Sequence, residues 1–368
     1  MPDLFDPVTI GTLTIRNHLM RSATAERVAD PELGIPSERM QKMYADLAKG
    51  GIGLIVTGHA YVERRGKAHP EMASIAIDDV IPAWRNVITP AQQAGAKVML
   101  QVNHCGASCD PQVTPRPLSP AGIPTNEMVQ PQPMSTADLE RIIQAFGQAA
   151  RRAQEAGFDG VQIHGAHGYL LNQFLCPATY PEPAFLLDGT EETDVERRNR
   201  ILEAVIHEIR RQVGDSYPLW IKLGVAGRID SGLSIEKGAQ IAGACSQMGV
   251  DCIELSHALG IPEEIDQRAE AAFLPFADAV RPLVGEYFPL GLVHGFRTRA
   301  RMQAVLDSRL VQIISMCRPL IAEPDLPNKL RDNPEYEHAC VRCRQCWPQP
   351  PRYGVQCYNE AVQRKLEG

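Results

Sequence analysis

His164, His167 and Tyr169 fall within a six-residue span directly after the short run Val161-Gln162-Ile163. Two imidazoles at that spacing can aim a pair of N–H donors at one oxygen, and a phenol, with an ordinary pKa of about 10, can supply a proton. Such a trio suits a reaction in which negative charge builds on a carbonyl oxygen while a conjugated carbon is protonated. The same residues could instead cap a strand end or bind a metal ion. The trio by itself leaves these readings open.

A second cluster lies near the end of the chain, Cys340-x2-Cys343-x2-Cys346-x10-Cys357. Three thiolates this close together can wrap one side of an iron–sulfur cluster, and a fourth returns after a short loop. Tetrahedral zinc also accepts four cysteines, and unloaded thiols are the third reading. The other six, Cys105, Cys109, Cys176, Cys245, Cys252 and Cys317, are scattered and are expected to pack as small apolar side chains. Ten cysteines behind a start (MPDLFDPVTIGTLTIRN) without a secretory leader pattern point to a reducing, cytoplasmic compartment.

These residues need a rigid frame. The chain has 368 residues, 44% hydrophobic and 22% charged, and a net charge of −7. That composition is globular, with enough length for a large core. No basic cluster suggests nucleic acid, and no apolar run approaches the ~18 residues of a membrane span. Near-continuous apolar runs at 19–24, 53–58, 97–103, 160–165, 218–224, 251–256, 288–295 and 311–317 read as buried strands. Segments of helical periodicity lie between them, clearest at 137–157 and 198–213. Strands of this kind alternating with helices imply a parallel sheet with a covered outer face, and eight such units fit a (β/α)8 barrel of the α/β class. A doubly wound open sheet is the rival, but no GxGxxG follows the first strand. Residues 4–17 read as an N-terminal hairpin, and the Pro-, Ser- and Gly-rich loop 105–135 is expected to fold over the site. Residues 1–335 are assigned to the barrel and 336–368 to a cysteine-rich tail.

In such a barrel the strand ends share one mouth. They carry Ser22-Ala23-Thr24, Gly58-His59, Gln101 with Asn103-His104, the trio, Lys222, Ser256-His257, His294-Gly295 and Cys317-Arg318. Small residues after the first two strands would let a flat ring approach the backbone. Gln101 suits the edge of a pyrimidine-like ring, and Lys222 offers a cation where such a ring carries charge when reduced. Gly295 and Arg318 fall where barrels commonly hold phosphate. A flat hydride-accepting ring with a phosphate tail describes FMN.

The chain resembles the Old Yellow Enzyme family of FMN barrels. The resemblance runs through Leu4-Phe5-x-Pro7 with Asn17, GGIGLIVTG, QVNH, AGFDGVQIHGAHGYLLNQFL and SMCRPLIAEPDLPNKL. It implies that His164 and His167 bind a substrate carbonyl and that Tyr169 protonates the adjacent carbon. It also implies that Gln101, Lys222, Gly295, Cys317 and Arg318 contact FMN, with NAD(P)H as reductant. Three departures stand out. Ala23-Thr24-Ala25 replaces a Pro-x-Thr or Pro-x-Cys beside the flavin. The acid-rich stretch 179–198 replaces an Arg-x-Asp-x-Tyr-Gly-Gly run. His104-Cys105-Gly106-Ala107 lacks the arginine of His-x-Gly-Arg. The tail resembles the four-iron segment of trimethylamine dehydrogenase and 2,4-dienoyl-CoA reductase, whose further dinucleotide-binding domain is not expected in this sequence.

The resemblance and the trio together favour an ene reductase acting on a small α,β-unsaturated carbonyl compound. One alternative is an FMN/iron–sulfur dehydrogenase or demethylase passing single electrons to an external carrier or second subunit. The other is a non-catalytic flavin electron-transfer subunit. A homo-oligomer is expected, with neither nucleic acid nor membrane as partner.

Overall fold

The computed structural model describes residues 2–181, 193–349 and 352–367. β1 (Val8–Ile10) and β2 (Leu13–Ile15) form the hairpin, turning at Gly11, whose φ of 57° favours glycine. The chain continues through β3 (Leu19–Arg21), β4 (Leu54–Tyr61) and β5 (Lys97–Asn103). A detached pair, β6 (Leu118–Ser119) and β7 (Gln132–Pro133), lies within the 105–135 loop. Then come β8 (Gly160–Gly165), β9 (Leu219–Ala226), β10 (Cys252–His257), β11 (Leu290–Val293) and β12 (Ile313–Met316). Apart from the hairpin and the detached pair, the strands close into a parallel eight-stranded barrel, β12 pairing with β3. This is the α/β barrel that the alternation of apolar runs and helical segments implied.

Helices α1 (Glu38–Lys49), α2 (Ile81–Gln93), α3 (Thr136–Ala156), α4 (Leu170–Leu175), α5 (Asp194–Val213) and α6 (Ile235–Cys245) lie between strands. They are followed by α7 (Leu274–Val284), α8 (Arg299–Asp307), α9 (Arg318–Ala322), α10 (Leu326–Asp332) and α11 (Glu360–Glu367). α5 begins four residues before the periodic stretch from 198 because Thr193 and Glu196 form a reciprocal capping box. Among the described residues no helix is long and apolar enough to cross a membrane.

Strand side chains alternate between two environments. Val98, Leu100, Val161, Ile163, Ile221, Leu223, Ile253 and Leu255 face the helices in one large apolar cluster. Their neighbours face the barrel axis in tiers. The lowest tier is apolar: Met20, Leu54, Val56, Met99, Trp220, Cys252 and Ile313 pack on Ile10, Leu13 and Ile15 of the hairpin, which plugs that end. Two residues further along β3, β5, β9, β10 and β12 the inward positions turn polar, as Ser22, Gln101, Lys222, Glu254 and Ser315. Plugging one end leaves the other, at the strand C-termini, as the open one.

The tail runs back over this barrel. The Val355 N–H donates to Glu26 O at 2.8 Å, Arg39 donates to Tyr353 O at 2.9 Å, and His338 Nε2 lies 3.2 Å from Phe296 O.

α6 rests on β9 through Gly238, where a Cβ would overlap the Val225 carbonyl. Gly→Ala inside a helix ordinarily stabilises by about 1 kcal/mol. Gly238→Ala is instead expected to destabilise by roughly 1–3 kcal/mol, as overpacking does. A denaturant titration checks this, and an unchanged or raised midpoint would show that α6 can retreat.

Candidate functional site

The trio sits at the open end. His164 closes β8, and the Ala166 N–H donates to its Nδ1 at 3.3 Å, which puts the ring proton on Nε2. His167 has a φ of 61°, and its Nε2 lies 2.8 Å from Ser256 Oγ. With that hydroxyl donating, His167 Nδ1 also carries a proton. The two ring centroids are 5.1 Å apart, and the Tyr169 ring is 4.8 Å from that of His164. Burial, reinforced by neighbouring imidazoles and Lys222, holds both histidines well below their ordinary pKa. Burial pushes the Tyr169 phenol up to about 12, with Cys105 adding to the shift. Around neutral pH the trio is therefore two uncharged donors and one protonated phenol.

The loop 105–135 secures the turn that carries Tyr169. Ser108 Oγ donates to Gly168 O at 2.6 Å, and Gln173 Nε2 donates to Cys105 O at 3.1 Å and to Gly168 O at 2.7 Å. Of the six scattered cysteines five are buried. Cys317 departs from that expectation: it is half-buried, with Thr24 Oγ1 2.9 Å from its sulfur.

One tier below the trio, Lys222 is paired, which its reading as a free cation did not anticipate. Its Nζ lies 2.9 Å from Glu254 Oε1 and donates to Ser22 Oγ at 2.7 Å. Ser22 Oγ donates to the same Glu254 oxygen at 2.7 Å, and Gln162 Nε2 donates to Glu254 Oε2 at 2.9 Å. Gln101 Nε2 donates to Gln162 Oε1 at 2.8 Å, which leaves the Gln101 carbonyl oxygen for another donor. Glu254 and Gln162 were missed by sequence reasoning. The signal was the register: an inward Trp220 makes Lys222 inward on β9, and Glu254 is its direct neighbour on β10.

A slot of about 170 Å³ opens beside this tier, lined by Ser22, Ala23, His167, Lys222, His294, Gly295, Cys317 and Arg318 among the candidates. Ser256, His257, Phe273 and Arg342 line it as well. Thr24, Gly58, Gln101, His164 and Tyr169 are not in its wall. Gly58 is small for an internal reason: its N–H donates to Glu26 Oε1 at 2.8 Å, and a Cβ would collide with that carboxylate. The need for glycine there comes from Glu26 and not from a ligand. His294, at a φ of 89°, stacks on Phe273 with centroids 4.5 Å apart. Its Nε2 and Ser315 Oγ are buried without a hydrogen-bond partner among the described residues. Orphaned polar atoms, a lysine with one N–H to spare and a half-buried Arg318 fit the donor set an FMN requires.

All four tail cysteines line a second, smaller cavity of about 20 Å³, together with Arg318, Ile321, Ala322 and Val362. Among the described residues no three metal-binding side chains converge on a single ion position. Most of the acid-rich stretch, residues 182–192, lies outside the described residues.

Residues 3–337 match the NADH:flavin oxidoreductase / NADH oxidase family. The chain belongs to that family. It is 28% identical to an NADH oxidase of Thermoanaerobacter brockii, over 93% of this chain and 53% of that protein. It is 29% identical to an NADPH dehydrogenase of Geobacillus sp. (strain WCH70), over 88% and 92%. The chain thus spans about half the length of some curated relatives and nearly the full length of others. In three dimensions it is similar to a 2-naphthoyl-CoA reductase (TM-score 0.82, 24% identity, 90% of this chain, 52% of that one). It is also similar to an Old Yellow Enzyme homologue from Zymomonas mobilis (TM-score 0.78, 23% identity, 95% and 98%). At these identities the likeness shows the fold.

Burial depresses the imidazoles at this end: His164, His167 and His69, His59 to about 3, and His257 and His294 to about 4. Unfolded, each titrates near 6.5, so below that pH the unfolded chain binds more protons and stability falls as pH falls. The expected loss is up to about 1.4 kcal/mol per pH unit for each histidine, between about 6.5 and 4. A series of melts from pH 7.5 to 5 checks the sign; a flat series would contradict the buried neutral rings.

Proposed function

We propose that the protein is an FMN-dependent oxidoreductase acting as an ene reductase on α,β-unsaturated carbonyl compounds. The observation that carries the reading is the convergence of His164, His167 and Tyr169 at the open barrel end, beside a slot suited to FMN. In this reading Ser22, Ala23, Lys222, His294, Gly295, Cys317 and Arg318 hold the cofactor, and Gln101 meets the edge of its ring. When bound and reduced by NAD(P)H, FMN supplies a hydride.

The protein's own residues do the rest. His164 Nε2 and His167 Nδ1 donate to the substrate carbonyl oxygen and stabilise the negative charge that develops there. Both are neutral, so each acts as a donor without a competing counter-ion. Tyr169 delivers a proton to the carbon next to the carbonyl. With its pKa near 12, it stays loaded through neutral and mildly alkaline pH. Tyr169→Phe is expected to slow enone reduction by about 10²–10⁴-fold while flavin absorbance is kept. A variant as fast as the parent in single-turnover reoxidation by an enone would remove the assigned donor.

The cysteine cavity supports a second element. Four cysteines at spacings x2, x2 and x10, all lining one small cavity, are the donor set that a four-iron cluster takes. Cys340, Cys343, Cys346 and Cys357 would hold it, and it would supply one-electron exchange with an external carrier. This also keeps open the reading as a dehydrogenase working in the oxidative direction. Anaerobically purified protein is expected to contain about four irons and four labile sulfides per chain. Zinc in place of iron, or neither, would exclude the cluster without touching the ene-reductase assignment.

A further inference from the structure

Adjoining the slot at Arg318 lies a second cavity of about 520 Å³. It shares His294, Arg318 and Arg342 with the slot and adds Gln267, Arg268, Arg297, Cys340, Val341 and Arg344. Five guanidiniums therefore surround one space, and among the described residues no carboxylate lines it. Arg342 is committed to the backbone, donating to Gly295 O at 2.7 Å and to Gln267 O and Arg268 O, both at 3.1 Å. The side chains of the other four, Arg268, Arg297, Arg318 and Arg344, form no hydrogen bond or ion pair with a described residue.

Like charges gathered in this way repel, and the nearby carboxylate of Glu270 offsets them only in part, acting on Arg342. Glu270 is engaged by the backbone N–H groups of Arg297 and Thr298, at 2.7 and 2.9 Å. The backbone bears a second cost. Arg342 and Arg344 are held at φ of 57° and 63°, a conformation that residues with side chains disfavour. In a protein of net charge −7 this concentration of cations calls for an anion. One phosphate dianion on the flavin would engage Arg318 beside Gly295. It would leave Arg268, Arg297 and Arg344 without a counter-charge.

The geometry points to a second phosphate-binding site in this cavity, one that takes the phosphorylated ADP end of a nucleotide-tailed reactant. Three spare guanidiniums match the two or three phosphate groups of such a tail, each pairing through a planar fork. The cavity is far larger than an inorganic ion needs. Gln267 offers an amide to a base edge, and Val341 and the arginine planes offer surfaces on which a base can stack. Two reactants carry this chemistry, a nicotinamide donor with a 2′-phosphate and a coenzyme A thioester with a 3′-phosphate. The proposal rests on the flavin reading only in giving the flavin phosphate the neighbouring seat.

The test is calorimetric titration of yellow, flavin-replete protein with 2′,5′-ADP, 3′,5′-ADP, inorganic pyrophosphate and adenosine. One bisphosphate is expected to bind saturably, with affinity falling steeply as salt rises, and adenosine is not. Arg268→Gln combined with Arg297→Gln, both exposed positions outside the flavin wall, should weaken binding at least tenfold. Flavin absorbance and the melting temperature should stay unchanged. The preferred isomer then names the source, 2′ for the nicotinamide donor and 3′ for the thioester. No binding by yellow protein overturns the proposal while the flavin reading stands, and so does equal binding by the double variant. Pyrophosphate binding as tightly as either nucleotide overturns the nucleotide assignment. Binding confined to flavin-free protein would mean that the cavity is only the vestibule of the flavin's own phosphate seat.

Discussion

A lysine and a glutamate meeting inside the barrel set the conditions for everything above them. Lys222 and Glu254 are almost wholly removed from water, and each lone ion in that place would cost several kcal/mol. Mutual attraction offsets that cost only where the remaining donors and acceptors are also satisfied. Ser22, Gln162 and Gln101 do this, so side chains from β5, β8, β9, β10 and the end of β3 are locked in one register. Slipping any of these strands by one residue would turn an ion or an amide into the apolar layer under the helices. The pair therefore works as a registry pin, and the trio one tier above inherits its positions. It also changes what Lys222 can do for a bound ring. Its charge is largely matched within the protein, and what remains for a ligand is one directed N–H.

Tiering explains why the two ends of the barrel differ. The hairpin fills the lower end with Ile10, Leu13 and Ile15, which excludes water beneath the ion pair and keeps it in a low-dielectric setting. The upper end stays open, and there the imidazoles are desolvated enough to remain neutral while still facing a cavity. Neutral donors and a phenol that holds its proton belong together. A charged imidazole beside Tyr169 would favour the phenolate and empty the donor.

Much of this was legible before any coordinates, for a physical reason. Strands of a covered parallel barrel are buried on both faces and so appear as unbroken apolar runs, and the trio is local in sequence, adjacent to the strand that carries it. Other features are made only by packing. Glu254 looked like one acid in an apolar run until the barrel placed it beside Lys222. Gly58 looked like a place for a ligand, but the carboxylate of Glu26, brought there by the turn after β3, uses the space. Arg342 sits between two cysteines, and nothing nearby in sequence says that it reaches the carbonyls of Gly295, Gln267 and Arg268.

That reach makes the tail part of the site. Arg318 lines the slot beside the trio, the arginine cavity and the cysteine cavity, and Arg342 lines all three as well. The three spaces therefore share walls, and a change in one is felt by the others through two guanidiniums. If the cysteines closed on a cluster, the backbone at Arg342 and Arg344 would be fixed at both flanks by Cys340, Cys343 and Cys346. The left-handed turns at these arginines would then be held by covalent ligation in addition to hydrogen bonds. Without that clamp, the three carbonyl bonds of Arg342 and the contact of His338 with Phe296 O keep the tail against the loops after β10 and β11. Each such bond has a net worth of roughly 1.5–3 kcal/mol when the donor is charged. Loading of the cysteine cavity and order at the Arg318 end of the slot are in this way one mechanical question.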